Sequence, residues 1–336
     1  MSTLCIAVVL TALFFEYTNG FHDAANAIAT SISTRALKPW QALSMAGTLN
    51  FVGALLSTAV AATVATGIVD PKVVNLHCVL AGLIGATVWN LLTWYYGIPS
   101  SSSHCLIGGI VGATLATYGT GVQWMNLAEK VLAPTIISPL AGFAIGIAMT
   151  LLMAWIFAKH PHGKVNRGFR HIQPLSAALL AISHGQNDAQ KTMGIIFLAL
   201  VADHQWDVAS GVPTWVKLVC ALVMAIGTMF GGKRIIKTMG TKITTLRNAD
   251  AFAADLTASS VLLTTGHLGF PISTTHVITS AIMGVGATYR MRAVRWGITR
   301  AIMTAWLLTL PASALIGGFV AYLLKLLMQA GLLSGS

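Results

Sequence analysis

The sequence predicts an all-α polytopic membrane protein, an inverted-topology repeat with discontinuous helices and two helical hairpins. Three observations carry this expectation. Only 9% of the 336 residues are charged and 55% are hydrophobic, against about 25% charged in soluble domains. The apolar runs are long and lack the ten-residue alternation of a transmembrane barrel, which leaves helices as the way to satisfy backbone groups in lipid. Finally, Gly20-Phe21-His22-Asp23-Ala24-Ala25-Asn26 is echoed 165 residues later by Gly185-Gln186-Asn187-Asp188-Ala189-Gln190-Lys191. Each signature sets an acid inside an apolar run. A carboxylate in hydrocarbon costs roughly 2.5 kcal/mol on insertion scales, so both acids are expected to face a partner or a water-filled path.

The net charge of +11 is informative by position rather than by sum. Thirteen of the twenty Lys and Arg fall in three stretches, 159–170, 233–247 and 290–300. Basic clusters beside membrane spans mark cytoplasmic loops, so the charge reports orientation and argues against nucleic-acid binding. Cys5, Cys78, Cys105 and Cys220 have no metal-ligand spacing and imply neither a disulfide framework nor a zinc site. The apolar stretch 4–15 has no Lys or Arg ahead of it and no small-residue cleavage site, so it is expected to stay as the first span.

In chain order, a first unit is expected over 1–158, a basic cytoplasmic loop over 159–172, and a second, inverted unit over 173–330. Segment one, 4–33, is interrupted at Asn19-Gly20-Phe21-His22-Asp23, which predicts two half-helices or a locally opened turn. Arg35, Lys38 and Pro39 form the next turn. Segment two, 40–68, carries Asn50 among Gly47, Gly53, Ala54 and Ser57, small residues that let helices approach closely. Segment three, 79–97, leads through Pro99-Ser100-Ser101-Ser102-Ser103-His104 into an apolar run ending near 117. The pair reads as a re-entrant hairpin or as two spans. Segment 131–158 closes the first unit.

The second unit repeats the order: 173–202 with Asp188, 215–231, a basic loop, 252–269, the tip Pro271-Ile272-Ser273-Thr274-Thr275-His276, a run to 289, and 301–330. Three crossings plus a hairpin that returns to its own side make an odd count, so the second unit enters from the opposite face. On this scheme the three basic loops are cytoplasmic and both termini external.

The two tips align as Pro-x-Ser-[Ser/Thr]-[Ser/Thr]-His. Proline near the first helical position costs no hydrogen bond, and Ser or Thr beside it caps the helix. The free N–H groups and the helix dipole attract anions, so two such tips together suit one tetrahedral oxyanion. Ser101, Ser102, Ser103, Ser273, Thr274 and Thr275 add hydroxyl donors. His104 and His276 either meet the substrate or orient the tips from one turn inside. Asp23 and Asp188 beside an anion site make sense where a cation travels too, by protonation or by coordination; the plainer reading is helix-to-helix hydrogen bonding. Lys191 follows Asp188 by three residues and either neutralises it or touches the anion, whereas the matching position in the first signature is Asn26. Asp255 reads as a site or proton-path group, Glu16 as an entry-path group, and Asn50 and Asn90 equally well as interhelical glue. Trp94, Tyr95, Tyr96, Trp206 and Trp215 fit interface belts.

These signatures resemble those of the inorganic phosphate transporter (PiT) family, above all its bacterial low-affinity members, in motif order and spacing over nearly the whole chain. The resemblance implies a secondary transporter rather than an enzyme, importing inorganic phosphate through the bacterial inner membrane with H⁺ or Na⁺. It implies no organic cofactor, and a divalent ion such as Mg²⁺ carried with phosphate near Asp23 and Asp188. Carried onto this sequence, the phosphate ligands are the six tip hydroxyls with Asn26, Asn187 and Lys191. Coupling groups are Asp23, Asp188, Asp255 and His22, supported by His104, His276, Asn50 and Gln190.

Two residues depart from the family pattern Gly-x-Asn-Asp-x-x-Asn: His22 in the first copy and Lys191 in the second. An ammonium group repels Na⁺, so H⁺ is the expected coupling ion. A sulfate permease would share this architecture, but sulfate has no proton to donate to a carboxylate whereas monoprotonated phosphate does. An intramembrane phosphatase fits poorly, because the polar groups come as symmetric pairs while catalysis needs a nucleophile and a base in unlike environments. A passive anion channel would not need buried acids. Association into a homo-oligomer stays open at this level.

Overall fold

The computed structural model describes residues 1–330. The C-terminus, expected outside the cell, lies outside the described residues. Helices α1 (Thr3–Ser33), α2 (Pro39–Ala54), α3 (Ala59–Gly67), α4 (Leu76–Tyr96), α5 (Ser102–Tyr118), α6 (Trp124–Leu127) and α7 (Ala133–Ile156) form the first half. Helices α8 (His162–Ala202), α9 (Thr214–Phe230), α10 (Lys233–Lys237), α11 (Asn248–His267), α12 (Thr274–Tyr289) and α13 (Trp296–Gln329) form the second. Among the described residues four helical stretches, α1, α4, α13 and the run Trp124–Ile156, are long and apolar enough to cross a bilayer, up to six if each of two bent pairs is one span. The 41-residue α8 carries the second signature.

Three expectations need correction. Helix α1 is continuous through Asn19–Asp23. Its Gly20 does not open a turn; it lets α9 cross at contact, since a Cβ there would lie 2.6 Å from Met224 O. Gly185 serves the same end in α8, where a Cβ would lie 2.2 Å from Asn50 O. Segment two, in contrast, is broken: α2 and α3 meet at 69°. The freed N–H groups of Val60 and Ala61 at the start of α3 donate to Gln190 Oε1 at 2.8 and 3.3 Å, so a side chain of α8 stands in for the lost helix bonds. Finally, most of the stretch 159–172 is not a loop. Helix α8 begins at His162, its Lys164, Arg167 and Arg170 facing solvent along helical turns.

The basic stretches gather at one end of the molecule. Thr34 Oγ1 donates to Gln173 Oε1 at 2.8 Å, Asn248 Nδ2 donates to the same oxygen at 2.9 Å, and Arg295 N donates to Ile243 O at 2.9 Å. Arg247 lies over the Tyr289 ring, 4.5 Å from its centre. At the opposite end of α1, Ser2 N donates to Asp203 Oδ2 at 2.9 Å, so the N-terminus meets the 203–207 loop.

Both Pro-Ser segments are hairpins that return to the end they left. The outer ends of α4 and α5 are joined by Asp70 N to Gly121 O at 2.9 Å, and those of α11 and α12 by Arg247 and Tyr289. Their tips touch, Ser103 Oγ donating to Ile272 O at 3.4 Å. Packing is crosswise: α2 lies against α8 and α9 against α1, while α5 packs on α13 and α12 on α7. The signatures of α1 and α8 are thereby held against the two tips.

Candidate functional site

Ser101 and Ser273 begin α5 and α12 as side-chain caps, each accepting a bond at 3.2 Å from the backbone N–H of His104 or His276. The next residues reach the signatures. Asn26 Nδ2 donates to Thr274 Oγ1 at 3.1 Å and to Thr275 Oγ1 at 3.0 Å. Thr274 Oγ1 donates in turn to Asp188 Oδ2 at 3.0 Å. Lys191 Nζ donates to Asp188 Oδ1, to Ser103 Oγ at 2.5 Å and to Ile272 O at 2.8 Å. Ser102 Oγ donates to Asn90 Oδ1 at 2.9 Å, tying the first tip to its own hairpin. Every one of these side chains is buried.

Asp23 accepts from His22 Nδ1 at 2.7 Å, and His22 Nε2 lies 3.1 Å from Thr93 Oγ1 and 3.3 Å from Ser100 Oγ. The imidazole thus links the first acid to the first tip.

Sequence reasoning missed His184, although its position four residues before Asp188 puts both on one helix face. A chain of donors fixes its tautomer. Thr228 Oγ1 donates to Met224 O at 2.9 Å, so it accepts from Asn50 Nδ2, also at 2.9 Å. That turns Asn50 Oδ1 toward His184 Nδ1, 3.2 Å away, and the ring proton belongs on Nδ1. In the neutral ring Nε2 then carries a lone pair. It lies 3.0 Å from Asp188 Oδ2, yet makes no hydrogen bond. One ligand atom each from Asp23, His184 and Asp188 lie within 4.8 Å of one another. Two carboxylates and an imidazole lone pair gathered this closely are a donor set for a divalent cation.

Other buried atoms on these helices also lack partners: Asn19 Oδ1, Asn26 Oδ1 and Asn187 Oδ1. An unsatisfied buried acceptor costs about 1–3 kcal/mol, so such a group near a cleft points to a ligand, ion or water.

Not every expected residue joins this cluster. Gln190 caps α3, as described above. Asn187 donates to Leu262 O at 3.2 Å. Asp255 accepts from Thr30 Oγ1 at 2.8 Å and from Ser176 Oγ at 3.0 Å, the latter on α8 more than three turns before Asp188, and its carboxylate bonds neither tip. Glu16 accepts from Thr192, with Oε1 left unpartnered. His104 and His276 meet edge to face at 4.8 Å behind the tips, and His276 stacks on Trp306 at 4.1 Å.

Comparison with known proteins agrees with this architecture. The model of the phosphate transporter family matches residues 19–164 and again 158–317. A probable low-affinity inorganic phosphate transporter of Bacillus subtilis (strain 168) is 44% identical over 326 residues, covering 96% of this chain and 98% of that protein. One of the same description from Rhizobium meliloti (strain 1021) is 44% identical over 315 residues, covering 93% and 94%. A solved structure described as the sodium-dependent phosphate transporter superposes with a TM-score of 0.88 at 26% identity, over 97% of this chain and all of that one. These relatives are transporters and not enzymes, and the apolar helices make this chain an integral membrane protein. With its paired signatures, capped tips and near full-length coverage, the chain belongs to the phosphate transporter family.

Proposed function

We propose that this chain is a secondary symporter that imports inorganic phosphate across the bacterial inner membrane with H⁺. Its two units, 1–158 and 173–330, are inverted relative to one another and its basic end faces the cytoplasm. The observation that carries the reading is the pair of capped helix N-termini, α5 and α12, meeting at one buried cluster of carboxylates, amides and an ammonium group. Half-helix N-termini at the midpoint of a membrane protein suit an anionic substrate. Phosphate is held by the backbone N–H groups of both tips and by Ser101, Ser102, Ser103, Ser273, Thr274 and Thr275, with Asn26 and Lys191 beside it.

A divalent ion travels as cargo with phosphate, held by Asp23, Asp188 and His184 Nε2; Asp188 being already paired with Lys191, the ion's charge offsets that of the phosphate. Support for H⁺ comes from the donor count around His22. Thr93 donates to backbone carbonyls at 3.1 Å and Ser100 to Thr93 at 2.8 Å, so His22 Nε2 donates to both hydroxyls while Nδ1 faces Asp23. The His22–Asp23 pair is thereby placed to take up and pass on a proton. Asp255, buried with only hydroxyl partners, belongs to the same proton path.

Purified protein in liposomes tests this. An imposed inward proton gradient is expected to drive uphill uptake of phosphate, with Mg²⁺ stimulating it and sulfate excluded. Uptake that only follows the phosphate gradient would make the protein a channel. Na⁺ coupling is the second reading, favoured by the description of the solved neighbour. Steep Na⁺ dependence without any effect of a pH gradient would establish it instead.

A further inference from the structure

An ammonium group has three N–H donors, and Lys191 uses all of them. Its acceptors are a carboxylate oxygen of α8, the Ser103 hydroxyl of the first tip and the Ile272 carbonyl of the second. A local ion pair would need only Asp188, one turn away. The other two oxygens are 88 and 81 residues distant in the chain and belong to opposite hairpins. Carboxylate, hydroxyl and backbone carbonyl are the oxygen donors that hard cations take.

The first signature shows the same position without an ammonium group. There Asn26 spends its amide donors on Thr274 and Thr275 and leaves Oδ1 buried without a partner, at 2% exposure. One half thus presents an open acceptor, and the other presents an oxygen cage already filled by the chain's own cation.

The geometry points to Lys191 Nζ as a tethered cation that occupies a monovalent-cation site of the second half. It holds the two tips together and makes an exchangeable Na⁺ at that site unnecessary. Lys191 is therefore a specificity-determining residue for the coupling ion. A fixed ammonium group moves no ion across the membrane, so each cycle carries one cation fewer than it would with the cage open.

The inference rests on the phosphate-symport reading for transport but not for binding, and the test separates the two. Lys191→Asn installs the residue of the first signature. Equilibrium dialysis with radioactive sodium on the purified, full-length chains is expected to find one more saturable Na⁺ site per chain in Lys191→Asn than in the wild type. In liposomes at fixed pH and voltage, Na⁺ replacing K⁺ is expected to raise phosphate uptake by the variant roughly tenfold, the scale of one hydrogen bond to a charged group, and to leave the wild type unchanged. Lys191→Gln undergoes the same measurements, so that poor folding of one variant does not decide the outcome. Equal Na⁺ binding by the wild type and a folded variant overturns the proposal. An added Na⁺ site in a chain that moves no phosphate overturns the transport reading and leaves the tethered cation standing.

Discussion

The signatures of α1 and α8 have the same glycine, the same acid and the same position against a tip, and they differ in how that position is completed. In α1 the acid leans on an imidazole at 2.7 Å, and the amides of Asn19 and Asn26 keep oxygens free. In α8 the acid is fixed by Lys191 and by Thr274. The difference teaches that a duplicated site need not keep duplicate chemistry. The α8 acid is tied to an ammonium group and to a tip hydroxyl, whereas the α1 acid is tied to its neighbouring imidazole.

The largest expected effect comes from breaking the α8 ion pair. Asp188→Asn strands the buried Lys191 charge, and losing one partner of a buried pair costs about 3–5 kcal/mol. Thermal unfolding in detergent is expected to show a marked loss of stability. Asp23→Asn, whose partner His22 can release its proton, is expected to keep most of the stability while abolishing proton-driven uptake. Asp188→Asn combined with Lys191→Met removes both charges and is expected to recover stability without recovering uptake. Equal destabilisation by Asp23→Asn and Asp188→Asn would erase the contrast between the two copies.

The paired acids, the tips and their hydroxyls were legible because each is costly in a membrane and each occurs twice. Other features depended on distant neighbours. Gly20 reads as a break, yet it serves contact with α9, and nothing within α1 distinguishes the two uses. The real break at 55–58 contains neither glycine nor proline, since the group that sustains it, Gln190, lies 130 residues along the chain. His184 was overlooked because the motif was read from its glycine onward; the i, i+4 relation to Asp188 was the available signal. The role expected of Asp255 came from its apolar surroundings and that of Gln190 from its place in the signature, and neither reveals which face meets the tips.

A smaller effect tests how the second copy prepares a cation ligand. Asn50→Leu deprives His184 Nδ1 of its acceptor, and losing such an orienting partner typically weakens metal binding by about 10–100-fold. Phosphate uptake titrated with Mg²⁺ or Zn²⁺ is expected to need correspondingly more metal, with the rate at saturating metal largely kept. Asn19→Leu, at the position in α1 that matches His184, is expected to shift the titration far less. A uniform loss of rate at every metal concentration in Asn50→Leu would reduce Asn50 to a packing residue.

The smallest expected effect compares the two bent crossings. The bend between α9 and α10 is made by the backbone, Gly231 taking a left-handed φ of +65°. The bend between α2 and α3 is made by a side chain, Gln190 accepting from Val60 and Ala61. Gln190→Met removes that cap, at a cost of about 1–2 kcal/mol. The cost is local, so hydrogen exchange is expected to quicken at the amides of Val60 and Ala61 while the segment after Gly231 exchanges as before. Gly231→Ala is expected to do the reverse, because a Cβ there both strains the turn and lies 2.7 Å from the Leu43 side chain. Faster exchange at both bends in either variant would mean that the two bent segments open as one unit.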